Sequence, residues 1–122
     1  MHELSVCHSM LDQVERIAAQ RGASGVYAVR VRIGPLSGVD PSLLAEAFPV
    51  ASTGTVADGA RLDIEPAPLR VRCARCGGES EVAPNRLICP ECGDWRTRLL
   101  SGDELLLASL ELEIEPGTAS KR

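Results

Sequence analysis

Two pairs of cysteines constrain the fold of this chain more than any other feature of its sequence. Two residues separate Cys73 from Cys76 and Cys89 from Cys92, and twelve residues lie between the pairs. Each Cys-x-x-Cys turn can place two thiolates on one side of a metal ion, and two such turns complete a tetrahedral set. A glycine follows each pair and lets the chain curl so that backbone N–H groups point at sulfur. The pattern predicts a zinc-ribbon-like module held by structural Zn(II), with iron or redox disulfides as the alternatives.

Two segments on the N-terminal side of the cysteines have the periodicity of amphipathic helices. Residues 3–21 carry apolar side chains at helical spacing, and Gly22 is a typical C-terminal stop. A second helix is predicted to begin after Asp40, which is a favourable N-cap in front of a proline. It runs to about Val50, and Pro49 predicts a kink or an early end there.

Other segments alternate between apolar and polar residues and are predicted to be strands. They are residues 26–33, 61–65, 69–72 and 105–115. In the first strand Tyr27, Val29, Val31 and Ile33 are predicted to face one way. The last strand needs a sheet in which to bury its apolar face, and the strands at 26–33 and 61–65 are the candidates for its partners.

The cysteine segment is therefore predicted to be an insertion in one α+β fold. That fold has a small mixed three-stranded sheet with two helices, plus the inserted zinc-ribbon-like module. The predicted domains are a discontinuous α/β domain (1–68 and 103–115), which would hold the N-terminal metal site described below, and a zinc-binding domain (69–102). Residues 116–122 are predicted to be a flexible tail.

Composition excludes several functional classes. The formal net charge of −4 and the 2% aromatic content disfavour nucleic-acid binding. No apolar run approaches the ~18 residues of a membrane span. No secretory signal precedes the five cysteines, so a cytoplasmic, reducing location is expected. The sequence shows no Ser-His-Asp set, phosphate loop or HExxH motif, and two histidines are too few for an open catalytic zinc site, so the chain is not expected to be an enzyme.

The N-terminus is a second candidate metal site. The α-amine of Met1, the amide of His2 and the His2 imidazole Nδ1 can close a five- and a six-membered chelate ring on one ion. This planar set of nitrogens suits Ni(II) or Cu(II), with a fourth position open to Glu3 or to a side chain from elsewhere. The alternative is an ordinary frayed terminus, and Asp40 is already explained as a helix cap.

Three features together resemble the HypA/HybF family of nickel metallochaperones for [NiFe]-hydrogenase maturation. They are Met1-His2-Glu3-Leu4-Ser5 at the N-terminus, Ile33-Gly34 at the end of the first strand, and a Cys-x-x-Cys pair on each side of a twelve-residue loop. The resemblance covers nearly the whole chain. It implies that Met1, His2 and Glu3, together with Asp40, bind Ni(II) as transient cargo, and that the four cysteines hold structural Zn(II). Some members place histidines beside the zinc cysteines, whereas this sequence has none there.

The resemblance also implies partners. They are the maturation GTPase HypB, the hydrogenase large-subunit precursor and, in some organisms, the urease maturation system, with no nucleic acid and no membrane. The expected function is delivery of Ni(II) from the N-terminus to the large-subunit precursor. The alternative is a zinc-ribbon adaptor module in a protein or nucleic-acid complex, which would bind nucleic acid in a salt-dependent manner.

Overall fold

The computed structural model describes residues 2–114, which form two helices and six strands. Helix α1 spans His2–Arg21 and helix α2 spans Pro41–Ser52. The strands are β1 (Gly25–Ile33), β2 (Arg61–Pro66), β3 (Arg70–Cys73), β4 (Glu79–Glu81), β5 (Thr97–Ser101) and β6 (Leu105–Glu113). Met1 and the predicted tail, 116–122, lie outside the described residues.

The strands form two three-stranded sheets, in the orders β2-β1-β6 and β4-β3-β5. β1 and β6 run antiparallel. The backbone N–H of Ser24, before β1, donates to Glu113 over 2.8 Å, and that of Gly34, after β1, donates to Glu104 over 2.9 Å. In the second sheet β3 pairs antiparallel with both β4 and β5.

β1 and β2 run parallel and are joined through α2. The backbone N–H of Ala67, just after β2, donates to the carbonyl of Ile33 at the end of β1 over 2.9 Å. Beside it, Arg32 and Glu65 form an ion pair of 2.9 Å. Parallel neighbours need a crossover connection, which α2 supplies. The predicted α+β fold, with a mixed three-stranded sheet and two helices, is confirmed.

Helix α1 buries the predicted apolar stripe and packs against α2. Its buried residues are Cys7, Met10, Leu11, Val14 and Ala18. The Cys7 thiol lies 3.8 Å from the carbonyl oxygen of Leu44 in α2. At the C-terminus Gly22 has a φ of 66°, and the N–H of Ala23 donates to Ala18 over 2.9 Å. This is the helix stop that the glycine predicted, in the form of a Schellman motif.

Three details of the predicted elements are wrong. Helix α2 continues past Pro49 to Ser52, because Pro49 lacks only its own N–H and its carbonyl still accepts the Thr53 hydroxyl over 2.8 Å. Tyr27 is 58% exposed, which keeps its hydroxyl hydrated. β6 buries its apolar face only in part, since Leu110 and Leu112 are half-buried, whereas Leu106 is 52% exposed and Ile114, just after the strand, is 42% exposed. β6 lies at the edge of its sheet and has one neighbouring strand.

The chain divides into two compact units. Unit 1 comprises the residues up to Val31, Asp40–Ile64 and the residues from Leu107 onward, and unit 2 comprises Arg32–Val39 and Glu65–Leu106. The two helices belong to unit 1, and all four paired cysteines belong to unit 2. Within residues 2–114, neither helix has the length and apolar character needed to span a bilayer.

Candidate metal centre

The four paired cysteines converge on one point. All their Sγ atoms lie within 4.8 Å of one another. The Sγ–Sγ distance is 3.5 Å between Cys73 and Cys92 and 3.7 Å between Cys76 and Cys89. Four sulfurs placed tetrahedrally about 2.3 Å from a zinc ion would be about 3.8 Å apart. The cluster therefore has the dimensions of a four-thiolate metal site.

The first cysteine pair is held in a tight turn at the end of β3. The N–H of Cys73 donates to the carbonyl of Gly78 over 2.9 Å, and that of Gly77 donates back to the Cys73 carbonyl over 3.0 Å. The N–H groups of Arg75 and Cys76 point at the Cys73 sulfur, at 3.3 and 3.4 Å. Gly77 has a φ of 76°, a conformation that a residue with a Cβ adopts only under strain.

The second pair repeats this turn. The N–H of Cys89 donates to the carbonyl of Asp94 over 2.9 Å, and that of Gly93 donates to the Cys89 carbonyl over 2.8 Å. The N–H of Cys92 lies 3.4 Å from the Cys89 sulfur, and Gly93 has a φ of 78°. The two glycines thus have the role predicted for them, which is to let backbone N–H groups face the sulfurs.

Burial and hydrogen bonding distinguish the first cysteine of each pair from the second. Cys73 and Cys89 are 2% exposed, whereas Cys76 and Cys92 are exposed. The N–H of Cys76 lowers the pKa of the Cys73 thiol to about 7, and the N–H of Cys92 lowers the pKa of Cys89. At Cys92 the N–H of Asp94 favours the thiolate, but the neighbouring Cys73 sulfur opposes it, and the pKa is about 12. Four adjacent thiolates therefore need a cation between them.

Asp94 is a residue of this site that the sequence analysis missed. Its side chain is 6% exposed and forms two bonds with the Arg96 guanidinium, Nε–Oδ1 of 3.0 Å and Nη2–Oδ2 of 2.8 Å. Nη1 of Arg75, in the first turn, lies 4.0 Å from the same carboxylate. The Arg96 guanidinium is the largest cause of a pKa of Asp94 well below its usual range. The available signal was an aspartate directly after a Cys-Gly pair and two residues before an arginine.

At the other candidate site the structure brings Glu3 and Asp40 together. Glu3 Oε2 accepts the backbone N–H of Asp40 over 3.1 Å, and this bond is the main reason why the pKa of Glu3 is lowered. His2 is exposed at the start of α1, and Met1 lies outside the described residues. Across residues 2–114, the four cysteines are the set whose potential ligand atoms converge closely enough to hold an ion.

Asp40 caps helix α2, as predicted. Its Oδ1 accepts the N–H of Ser42 over 2.9 Å, the hydroxyl of Ser42 over 2.7 Å and the N–H of Leu43 over 3.4 Å. The Ser42 hydroxyl, followed by the two N–H groups, lowers the pKa of Asp40. Both Asp40 and Glu3 are therefore carboxylates at neutral pH, and the role of either as a nickel ligand stays a prediction.

Comparison with known proteins places these features in one family. The family model described as "Hydrogenase/urease nickel incorporation, metallochaperone, hypA" matches residues 1–112. The hydrogenase maturation factor HypA of Nitrosospira multiformis is 52% identical over 112 residues, covering 92% of this chain and 97% of that protein. The HypA of Aquifex aeolicus is 44% identical over 115 residues, covering 94% of this chain and 100% of that protein.

Solved structures show the same likeness. The solution structure of the Ni metallochaperone HypA from Helicobacter pylori matches with a TM-score of 0.68 at 30% identity, covering 93% of this chain and 98% of that one. A second solution structure of a HypA protein matches with a TM-score of 0.71 at 31% identity, covering 94% and 98%. The family match includes both the N-terminal tripeptide and the four cysteines.

Proposed function

Because the chain belongs to the HypA family of hydrogenase/urease nickel-incorporation metallochaperones, we propose that it binds Ni(II) at its N-terminus and delivers it to the [NiFe]-hydrogenase large-subunit precursor. It is a metallochaperone and not an enzyme. The observation that carries this proposal is the tripeptide Met1-His2-Glu3, which lies inside the family match and has an exposed imidazole at its second position.

The proposed nickel ligands are the α-amine of Met1, the amide and imidazole of His2, and a carboxylate from Glu3 or Asp40. Nitrogen ligands in a plane suit Ni(II). Glu3 and Asp40 support the proposal because they lie beside each other and are both ionised. A carrier must also release its cargo, and a Kd of about 1 μM corresponds to roughly 8 kcal/mol. A terminus with few protein ligands suits such an affinity.

Zn(II) is the proposed resident metal of Cys73, Cys76, Cys89 and Cys92. Four thiolates close the coordination shell, so the ion has a structural role and takes no substrate or water. The Sγ–Sγ distances of 3.5 and 3.7 Å and the repeated turn support a tetrahedral ion. A segment of about 30 residues with so small an apolar core depends on the metal for its folding free energy.

The proposed partners are the maturation GTPase HypB and the large-subunit precursor, with the urease maturation system as a further recipient. The proposed location is the cytoplasm. All five cysteines are free thiols in the structure, which suits a reducing compartment in which thiolates bind metal.

The nickel proposal is tested with tag-free protein titrated with Ni(II) by calorimetry. We expect His2→Ala to abolish Ni(II) binding at the N-terminus, because the imidazole is one of the proposed ligands. An N-terminal extension that leaves His2 in place should do the same, because it converts the α-amine to an amide and breaks the five-membered ring. His8→Ala is the matched control, since His8 is the other exposed histidine, and it should bind nickel as the unmodified protein does.

Zinc content should remain unchanged in all three variants, because the two proposed sites share no ligand. An extended or His2→Ala protein that binds one Ni(II) as tightly as the unmodified protein would overturn the N-terminal site.

A further inference from the structure

We propose that Asp94, together with Arg75 and Arg96, controls how long the cysteine site retains its metal and so keeps zinc from being exchanged for the nickel cargo. We call these three residues the Asp94 cluster. The inference rests on the proposed function, because that function assigns zinc to the four cysteines and nickel to the N-terminus. Asp94 is not one of the four ligands and binds no metal in this proposal.

The backbone of Asp94 fixes the second cysteine turn. Its carbonyl accepts the N–H of Cys89 over 2.9 Å, so the segment from Cys89 to Asp94 is closed by a backbone hydrogen bond. Its side chain bonds to the backbone two residues later, where Oδ1 accepts the N–H of Arg96 over 2.8 Å. Cys92 lies within the segment that these two bonds of Asp94 fix.

The side chain of Asp94 connects this turn to the first one. Arg75 lies between Cys73 and Cys76, and its Nη1 is 4.0 Å from Oδ2 of Asp94. The backbone supplies a second connection, since the N–H of Ala74 donates to the carbonyl of Arg96 over 2.8 Å. The two bonds between Arg96 and Asp94 fix the direction of the Asp94 carboxylate as well as its distance from the guanidinium. Asp94 and Arg96 thus contact the first turn through one ion pair and one backbone hydrogen bond.

The charges of the Asp94 cluster also favour retention of the metal. Four thiolates and one Zn(II) ion carry a net charge of −2. Asp94 lies within 4.0 Å of two guanidinium groups, and it is the main cause of a raised pKa of Arg96, to which Cys73 and Cys92 add smaller contributions. The Asp94 side chain is 6% exposed, whereas the side chains of Arg96 and Arg75 are 58% and 67% exposed, so salt can screen these ion pairs.

Metal exchange is expected to begin at the exposed sulfurs. Cys76 and Cys92 are exposed, whereas Cys73 and Cys89 are buried. An incoming Ni(II) ion or chelator can therefore reach Cys92, which lies in the turn that the Asp94 carbonyl closes through its bond with Cys89. Thiolates bind both metals, so affinity alone does not keep nickel out of this site, and slow opening of the turn does.

The test compares Asp94→Asn with Asp103→Asn in full-length, zinc-loaded protein. Asparagine keeps the shape and can still accept the Arg96 N–H, but it loses the ion pairs. Zinc release into excess chromogenic chelator should be roughly tenfold faster in Asp94→Asn, the size typical of lost outer partners of metal ligands. Asp103 is an exposed aspartate of the same unit, and its variant should release zinc at the unmodified rate.

A second measurement follows nickel entry through the sulfur-to-nickel charge-transfer absorption, in a His2→Ala background. This background removes the proposed N-terminal site, so failure of that site does not affect the result. Asp94→Asn should take nickel into the cysteine site faster than Asp103→Asn does. If Asp94→Asn does not fold, Arg96→Lys, which keeps the charge but loses the two-bond pair, should give an intermediate acceleration.

The dependence of the zinc release rate on ionic strength tests whether Asp94 acts through its charge. Raising ionic strength should speed zinc release from the unmodified protein and have less effect on Asp94→Asn, because the ion pairs that salt screens are already lost. Equal release rates in Asp94→Asn and Asp103→Asn, or the same response to salt in Asp94→Asn and the unmodified protein, would overturn the proposal.

Discussion

Asp40 caps helix α2 and is also one of the proposed nickel ligands. All three hydrogen bonds that cap α2 end on its Oδ1 atom, and within residues 2–114 none is made to Oδ2. Glu3 approaches from the other side and accepts the Asp40 backbone N–H. If Asp40 is a nickel ligand as proposed, Oδ2 is the oxygen that could bind the ion without breaking the cap.

Replacing Asp40 separates the two roles. Asn caps a helix about as well as Asp, so Asp40→Asn should leave the melting temperature unchanged, whereas Asp40→Ala should lower it by about 4 °C. We expect Asp40→Asn to weaken nickel binding, because the amide oxygen carries no charge. Thermal melts and nickel titration of the two variants check this. Unchanged nickel affinity in Asp40→Asn would restrict Asp40 to capping.

The pH range of the cap follows from the same bonds. The pKa of Asp40 is lower in the folded protein than in the unfolded chain, so the folded state favours the charged form. Its contribution to stability is therefore fully present above the unfolded pKa of about 4 and is lost as the pH falls through the lower folded pKa. Acid should weaken the start of α2 by this route.

At the scale of elements, the end of β1 depends on two glycines that lie against each other. A Cβ added at Gly34 would overlap the backbone carbonyl of Gly102. The neighbouring backbone is bonded at the same place, since the N–H of Leu36 donates to the Gly102 carbonyl over 2.7 Å. The Ile33-Gly34 pair that marks the family resemblance thus has a steric reason in this chain.

Gly34→Ala should therefore cost more stability than Gly22→Ala. A Cβ at Gly22 meets nothing within 4 Å, so its cost is the positive φ alone, about 1 kcal/mol. At Gly34 the overlap with backbone cannot be relieved by turning a side chain, and we expect a loss of about 3 kcal/mol. Urea unfolding of both variants measures the difference. Equal losses would show that the contact with Gly102 relaxes freely.

The elements that the sequence predicted are those with a repeating apolar pattern. Both helices and the strands β1, β2, β3 and β6 were predicted within a few residues, whereas β4 and β5 were not. β4 is Glu79–Glu81, three residues without an apolar side chain, and its place is set by pairing with β3. The partial exposure of the apolar face of β6 was missed because alternation predicts which residues share a face and not what covers that face.

The same distinction applies to the metal centre. The cysteine set was predictable because spacing along the chain carries its ligand chemistry. Asp94 was not, because its role comes from a buried ion pair with Arg96 and a contact to Arg75 from the other turn. Aspartates near arginines are common in sequences, and only the folded turn makes this one part of the site.

On the scale of the whole molecule, the two units have different sources of stability. Unit 1 buries apolar side chains of α1 and α2 against each other, whereas unit 2 contains the four-cysteine site. We expect zinc removal to act on the predicted zinc-binding domain, residues 69–102, and to leave the packing of the two helices in place.

Hydrogen exchange of the chelated protein tests this difference. Amides of residues 70–100 should lose their protection, while those of α1 and α2 keep most of theirs. Cys92→Ala should reproduce the effect and lose the metal, whereas Cys7→Ala, a change at the cysteine outside the set, should retain one zinc. Loss of protection throughout the chain on chelation would show that the predicted domains unfold as one.

The strand order β2-β1-β6 also sets a sequence of events during synthesis. β1 ends at Ile33 and its neighbour β6 begins at Leu105, with the whole cysteine segment between them. At roughly 5 to 20 residues per second, a ribosome takes about 4 to 14 seconds to make that stretch. One edge of β1 is without its partner for that time, and the cysteines leave the ribosome before β6 does. The proposed Zn(II) ion could therefore bind to the nascent chain before the sheet β2-β1-β6 is complete.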